Sequence, residues 1–332
     1  MGYRELKNKE ENKVKRAKRI LLCVFVLFLL ALLIFSFFYP PESWKYYFSL
    51  PKIESRNEEE MRVHYIDVGQ GDCIFIELPD GKTMLVDGGG TGAATEKTVL
   101  RYLNALNIDT IDYLVVTHSD SDHCGAIAEV ARMKTILNAY LPTTYDLKSG
   151  AYAEAYAALS QSECKLLESN RTVDLSQDGE TPYTLSFLYP YSKKMTEGDN
   201  EGSAVFWLDY MGISFLFMGD APTEVEEVLL RDEKFGFFDN RGMELSSTEI
   251  LKVGHHGSAQ SSSLKFLSYL NVESAVISCG KDNSYGHPAD TVMERLQLLN
   301  TDIYRTDEDG HIICTVTKDG TYTFETINTE NA

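Results

Sequence analysis

The chain has 332 residues, enough for two ordinary domains or one large one. Hydrophobic residues at 43% and charged residues at 24% are globular proportions, which excludes a disordered, collagen-like or multi-span membrane chain. The formal charge of −19 is uneven: residues 1–19 hold eight of the 31 basic and three of the 50 acidic residues, leaving 23 and 47, a net −24, beyond them.

After that basic segment, Ile20 to Tyr39 is a 20-residue run in which only Ser36 and Tyr39 carry polar side-chain groups. At about 1.5 Å per residue, a helix of that length crosses a hydrocarbon core of about 30 Å. It exceeds the roughly 7–15 apolar residues of a cleavable signal, and Phe37-Phe38-Tyr39-Pro40-Pro41 follows where a small-residue cleavage site would stand. The expectation is a single-pass anchor in a bacterial cell membrane, with the basic N-terminus cytoplasmic and the rest of the chain outside. The expected organisation is a cytoplasmic segment 1–19, a transmembrane helix 20–39, a linker 40–60 containing Pro51 and Glu58-Glu59-Glu60, and one globular domain 61–332. Cys23 falls in the apolar run, and the other five cysteines lack paired short spacing, so neither a disulfide framework nor a cysteine-rich zinc site is expected.

The domain opens with strand-like runs at Met61–Asp67, Asp72–Leu78 and Thr83–Asp87, the last after a Pro79-Asp80-Gly81 turn. A helix near Thr95–Asn107, an apolar strand Tyr113–Thr117 and a helix from His123 to about Lys134 follow. Strands at Ala204–Tyr210, Ile213–Met218, Ile250–Val253 and Ser274–Ser278 then interleave with helices near Thr223–Arg231, Ser261–Leu270 and Asp290–Leu299. That alternation predicts mixed sheets with helices outside.

Chemistry concentrates where strands end. His118-Ser119-Asp120-Ser121-Asp122-His123 follows the apolar strand and supplies four imidazole or carboxylate ligands within six residues, the donor types that divalent cations take. An Asp N-cap accounts for Asp122 alone and leaves the histidines unexplained. Asp87 before Gly88-Gly89-Gly90, Asp220 after Ile213–Gly219, His255-His256-Gly257-Ser258 after Ile250–Gly254, and Ser284-Tyr285-Gly286-His287-Pro288 after the strand at Ala275–Ser278 repeat the pattern. Each is weak alone; together they predict a converging metal site.

The order of these motifs resembles the metallo-β-lactamase-fold hydrolases, whose signature is HxHxDH after a strand. His64-Tyr65-Ile66-Asp67-Val68-Gly69-Gln70-Gly71-Asp72, Gly219-Asp220-Ala221, Lys252-Val253-Gly254-His255-His256-Gly257-Ser258 and Asn283-Ser284-Tyr285-Gly286-His287-Pro288 are similar to the C-terminal hydrolase domain of ComEC competence proteins. The likeness spans about Met61 to Thr326 and omits the multi-span channel portion of those proteins. It implies a four-layer αββα sandwich with mixed sheets and a site for one or two divalent metal ions. In that site His118, Asp122 and His123 match the signature, and Asp220 matches the carboxylate shared by two metals.

Asp120 stands where most of the superfamily has a second histidine, and Asn200 and Ser203 stand near the place of another; the closer relatives share these features. Richer oxygen ligation moves the expected metal from Zn²⁺ towards Mn²⁺ or Mg²⁺. His255 and His287 are taken as the remaining ligands, His256 as a substrate contact or proton donor, and Asn200, Ser203, Ser258 and Ser284 as substrate-binding candidates. Neighbouring His255 and His256 enter one site only across a turn.

The implied reaction is hydrolysis of a phosphodiester, of DNA or a cell-envelope polymer, or of a small phosphoester. The cations would acidify a water and polarise the phosphoryl oxygen, and Asp122 would orient the attack. A net −24 and the lack of a basic run after residue 19 disfavour a long polyanion. The alternative is a catalytically silent metal-binding sensor or scaffold in a cell-envelope or competence-type complex.

Overall fold

The computed structural model describes residues 2–38, 41–143, 150–176, 182–191, 200–238 and 241–328. The expected end of the membrane helix at Tyr39, the first linker residue Pro40 and the last four residues of the chain lie outside these. Two compact units emerge, Met1–Phe48 and Ser49–Ala332.

In the first, helix α1 runs over Tyr3–Phe38 and a 3₁₀ turn over Pro41–Tyr46 follows. The helix starts well before the apolar run because Lys, Arg, Glu and Ala in the basic segment are themselves good helix formers. Its stretch Asn8–Phe37 is long and apolar enough to cross a membrane.

The second unit builds two sheets. Strands β1 (Met61–Tyr65), β2 (Ile74–Glu77) and β3 (Thr83–Val86) form the predicted meander, followed by helix α2 (Ala93–Ala105), β4 (Thr110–Val115), the short helices α3 (Ser121–Cys124) and α4 (Ile127–Met133), β5 (Thr135–Leu141), α5 (Ala151–Gln161) and β6 (Lys165–Glu168). A second series comprises β7 (Tyr183–Tyr189), β8 (Val205–Tyr210), β9 (Ile213–Phe217), α6 (Thr223–Lys234), β10 (Ile250–Lys252), α7 (Leu264–Leu270), β11 (Ser274–Ile277), α8 (Asp290–Leu298) and β12 (Asp302–Arg305). The four-residue helix α9 (Thr306–Asp309) leads into β13 (His311–Val316) and β14 (Tyr322–Ile327), which return to the first sheet.

The first sheet is ordered β14-β13-β1-β2-β3-β4-β5-β6 and the second β12-β11-β10-β9-β8-β7. In each, an antiparallel part passes into a parallel one: β3 to β6 run parallel, as do β9 to β12. The predicted strands and helices occur with ends shifted by a few residues, except that the helix expected from His123 to about Lys134 is split at Gly125-Ala126 into α3 and α4. Strands β5, β6, β7 and β12 to β14 and helix α5 had no counterpart in the sequence pattern; β6 and β14 are partly exposed edges, and the four-residue β6 lacks alternation.

Alternation along the strands divides the core. Val63, Ile74, Ile76 and Val86 of the first sheet meet Phe187, Phe206, Phe215, Phe217 and Ile250 of the second in one fully buried cluster, with the rings of Phe206 and Phe217 stacked at 4.4 Å. The opposite face of the second sheet, through Trp207, Leu216 and Val253, packs on Val225 and Leu229 of α6, Phe266 and Leu270 of α7 and Leu296 of α8. With helices against both outer faces, this is the four-layer αββα sandwich. The described cysteines are all free. Phe206→Ala, which empties the centre of the inter-sheet stack, is expected to lower stability by about 3–5 kcal/mol in a denaturant titration; a loss below about 1 kcal/mol would show that the stack does not set the core.

Candidate metal centre

The parallel strands of each sheet share a direction, so the residues just past their C-terminal ends collect at one edge of the sandwich. Asp87 follows β3, His118 follows β4, Asp220 follows β9, His255 and His256 follow β10, and Ser278 follows β11. Asp120 caps α3, its carbonyl accepting from the His123 and Cys124 amides at 3.1 Å, and α3 carries Asp122 and His123. The glycine turn after Asp87 clamps this segment: Gly88 N–H donates to the His123 carbonyl at 2.6 Å and Gly125 N–H to the Gly89 carbonyl at 2.8 Å. A Cβ on Gly125 would lie 2.0 Å from the Gly90 carbonyl oxygen, so only glycine permits this approach.

His255 and His256 both adopt left-handed backbone, with φ of 48° and 54°. This is the turn that lets adjacent imidazoles face one cavity; it is held by the His255 N–H on the Gly219 carbonyl at 2.9 Å and the Ser258 N–H on the His255 carbonyl at 2.8 Å. His256 is buried, while His255 sits at the rim.

Three Nδ1 partners fix the histidines. His123 Nδ1 meets Asp87 Oδ2 at 2.8 Å, and His256 Nδ1 donates to the Ser278 carbonyl at 2.9 Å. The Thr117 hydroxyl donates to Asp87 Oδ2 at 2.6 Å and therefore accepts from His118 Nδ1 at 3.0 Å. Committed at Nδ1, all three rings turn Nε2 inwards, where it offers a lone pair once any proton it carries is lost.

Those nitrogens converge on Asp220, which is buried to 2% exposure. His123 Nε2 lies 3.2 Å from Asp220 Oδ1, while His256, His255 and His118 Nε2 lie 3.5, 3.6 and 3.8 Å from Asp220 Oδ2. Asp122 Oδ2 is 3.4 Å from His256 Nε2, and Asp120 Oδ2 is 3.7 Å from His118 Nε2. Most of these spacings are long for hydrogen bonds. They suit donors sharing a cation, since two ligands held at about 2.1 Å in tetrahedral directions stand about 3.4 Å apart. His118 Nε2 and Asp220 Oδ1 are buried without a hydrogen-bond partner. The residues therefore fit a divalent metal, with Asp220 at the centre of His118, His123, His255 and His256, and Asp120 and Asp122 beside His118 and His256.

Electrostatics agree. Burial opposes a charged His123, yet Asp220 and Asp87 outweigh it and raise its pKa well above the usual value. Burial likewise opposes charge on His256, and Asp220, Asp122 and Asp72 raise it to about 9. Burial would raise the Asp220 carboxyl, but His256, His123 and His118 hold it well below the carboxylate range. The cavity demands positive charge.

Several predicted residues lie elsewhere. His287 stands at the rim, its ring 5.5 Å from that of His255 and its Nδ1 buried without a partner. Ser203 is wholly buried and its hydroxyl accepts from the Asp220 N–H at 3.2 Å, while Asn200 Oδ1 is buried and unpartnered. The Ser258 hydroxyl accepts from the Gln260 N–H at 3.3 Å within its own turn, and Ser284 is exposed.

Asp72 and Lys252 were absent from the predicted site. One donor atom each from Asp72, His123, Asp220 and His256 lies within 4.8 Å of the others. Asp72 Oδ1 is 3.3 Å from His256 Nδ1, on the far side of the ring from Asp220, and its Oδ2 pairs with the fully buried Lys252 Nζ at 2.8 Å. The signal was present in Gly69-Gln70-Gly71-Asp72 and in a lysine within an otherwise apolar strand, but a pairing across 180 residues is invisible to local pattern.

Residues 66–281 match the Metallo-beta-lactamase superfamily. The chain belongs to the metallo-beta-lactamase superfamily. Its curated relatives are ComEC-like competence proteins. ComE operon protein 3 of Bacillus subtilis is 29% identical over 280 residues, covering 80% of this chain and 34% of that protein. Competence protein ComA of Neisseria gonorrhoeae is 30% identical over 257 residues, covering 77% and 32%. The chain thus spans about a third of the length of these relatives. Among solved structures, the metallo-beta-lactamase fold protein YhfI from Bacillus subtilis aligns with a TM-score of 0.48 at 13% identity, covering 81% of this chain and all of that one.

Two outcomes are expected of this metallo-beta-lactamase centre. Because raised pKa values keep His123 and His256 protonated at neutral pH without metal, loading must expel protons; affinity for Mn²⁺ or Zn²⁺ should climb about tenfold per pH unit for each proton released as pH rises from 7 towards 9. Calorimetric titrations at several pH values, in buffers of different ionisation enthalpy, read this directly, and a flat affinity profile would contradict it. Lys252→Met strands the Asp72 carboxylate and should cost about 3–5 kcal/mol in thermal or denaturant unfolding, whereas a joint Lys252→Met, Asp72→Leu change should recover much of the loss.

Proposed function

We propose that this protein is a metal-dependent hydrolase of phosphodiester bonds, held at the membrane by α1 with its catalytic domain on the outer side of a bacterial cell. The observation that carries the reading is the set of imidazole and carboxylate donors spaced 3.2–3.8 Å apart around buried Asp220. Divalent cations there supply Lewis acidity and lower the pKa of water.

The chain's own residues do the rest. Asp122, with its side chain 30% exposed, is the member of the inner set that faces solvent, and it holds and orients the attacking water. Burial, together with His256 and His255, lowers the pKa of His287; neutral at pH 7, its ring donates a hydrogen bond to a phosphoryl oxygen at the rim. Asp87, through Thr117 and His123, keeps the Nε2 lone pairs facing inwards. Kinship with competence proteins supports a DNA-type diester over an envelope polymer, and the −24 carried beyond residue 19 favours a short one. The oxygen-rich donor set favours Mn²⁺ over Zn²⁺.

Hydrolysis of bis(p-nitrophenyl) phosphate by the full chain in detergent, stripped of metal and then given Mn²⁺, Zn²⁺ or Mg²⁺, tests this. Turnover should require metal and fall by about a hundredfold or more in Asp122→Ala/Asp220→Ala. Turnover that survives both metal removal and the double substitution would sink the reading, and tight metal binding with no turnover of any phosphoester would favour a silent sensor.

A further inference from the structure

Beside the metal centre one aromatic ring is held out into solvent. Tyr285 is 69% exposed, so its ring contributes little to the core. It is nonetheless fixed in place. The Asn283 side-chain oxygen accepts from the Tyr285 N–H at 3.1 Å and the His287 N–H at 3.0 Å, while its amide donates to the carbonyls of Gly280, at 2.9 Å, and His287. Gly280 N–H donates to Gln70 Oε1 at 3.1 Å, and Ala289 N–H to the Gly257 carbonyl at 2.8 Å, which ties the loop at both ends to segments flanking the donor cluster.

One face of the tyrosine lies along His287, with centroids 5.7 Å apart and planes at 24°. His287 in turn lies 5.5 Å from His255 and 6.2 Å from His256, so three rings lead stepwise from solvent to the donors around Asp220. On this side a polar groove opens between the loop and α9, lined by Lys281, Asn283, His287, Arg305 and Asp307. A rigid loop that spends four hydrogen bonds of one asparagine to present an uncovered π face at the mouth of a reaction site is built for a flat partner.

We infer that Tyr285 is a specificity-determining platform: it stacks on a planar unsaturated ring that the substrate carries beyond the phosphoryl group at the donor cluster. The inference rests on the phosphodiesterase reading and adds the chemistry of the neighbouring group. Nucleobases and simple aryl esters share that chemistry; sugar or alditol phosphates lack it. Base-to-aromatic stacking changes affinity by about tenfold per ring.

Product-like phosphomonoesters separate the cases. Binding of thymidine 5′-monophosphate, phenyl phosphate and glycerol 3-phosphate to the Mn²⁺-loaded full chain is measured by calorimetry for the native protein, Tyr285→Phe, Tyr285→Trp and Tyr285→Ala, with metal loading recorded on each sample. The native protein should bind at least one ring-bearing ester about tenfold more tightly than glycerol 3-phosphate. Tyr285→Phe should keep that ratio, Tyr285→Trp should raise it, which a folding defect cannot imitate, and Tyr285→Ala should bring it near one. Preference for thymidine over phenyl identifies a nucleoside partner, and equal preference an unselective aryl platform. A ratio near one in the native protein, or one that survives Tyr285→Ala, overturns the platform alone. Failure of all three esters to bind a metal-loaded protein overturns the phosphodiesterase reading and the platform with it.

Discussion

A carboxylate removed from water needs positive charge within a few ångströms, and Asp220 sets that requirement for the whole edge of this sandwich. It does not stand alone. Asp72 and Asp87 are buried near it, Asp122 is partly so, and the buried Lys252 answers them through Asp72. His123 and His256, from two separate segments, make up part of the deficit when protonated, and a divalent cation does so at higher charge density and without protons. The anionic excess of the cavity, more than any one donor, is what suits it to a divalent metal.

The rest of the architecture serves that arrangement. Phenylalanines and aliphatic residues between the sheets fix their separation, and the common direction of β3 and β4 and of β9, β10 and β11 brings the strand ends to one rim. Glycines then carry the backbone where side chains would collide: Gly71, at φ 127°, places its Cα hydrogens where a Cβ would lie 2.1 Å from the Asp122 carbonyl oxygen. The Asp72–Lys252 pair joins the first turn of one sheet to the last residue of a strand in the other, so the same charges that tune the site also couple the two halves of the domain. Asp87 acts at one remove, through Thr117 and His123, and Ser203 does so through the Asp220 amide.

Because metal donors sit on short strand-end segments, their identities are a property of local sequence. His118, Asp120, Asp122 and His123 within six residues, after an apolar strand, carry their chemistry wherever the chain goes, and Asp220 and His255-His256 announce themselves by the same grammar. The apolar length of Ile20–Tyr39 and the strong strands at the sheet centres are local as well. The edge strand β6 was less visible because its four residues carry no alternation.

Distance in space between segments far apart in sequence belongs to the tertiary structure alone. Which of two adjacent histidines goes deepest was decided by left-handed backbone at both, an outcome of turn geometry that residue type does not encode. Asp72 and Lys252 are 180 positions apart, and only the packing of two sheets makes them an ion pair. Tyr285 in sequence is one more aromatic; the Asn283 hydrogen bonds and the nearness of His287 turn it into an exposed face beside the donors. The sequence by itself determined which groups are present and that their chemistry suits a cation. The fold decided their order around Asp220, because ligand chemistry is carried by single side chains and coordination by the distances among them.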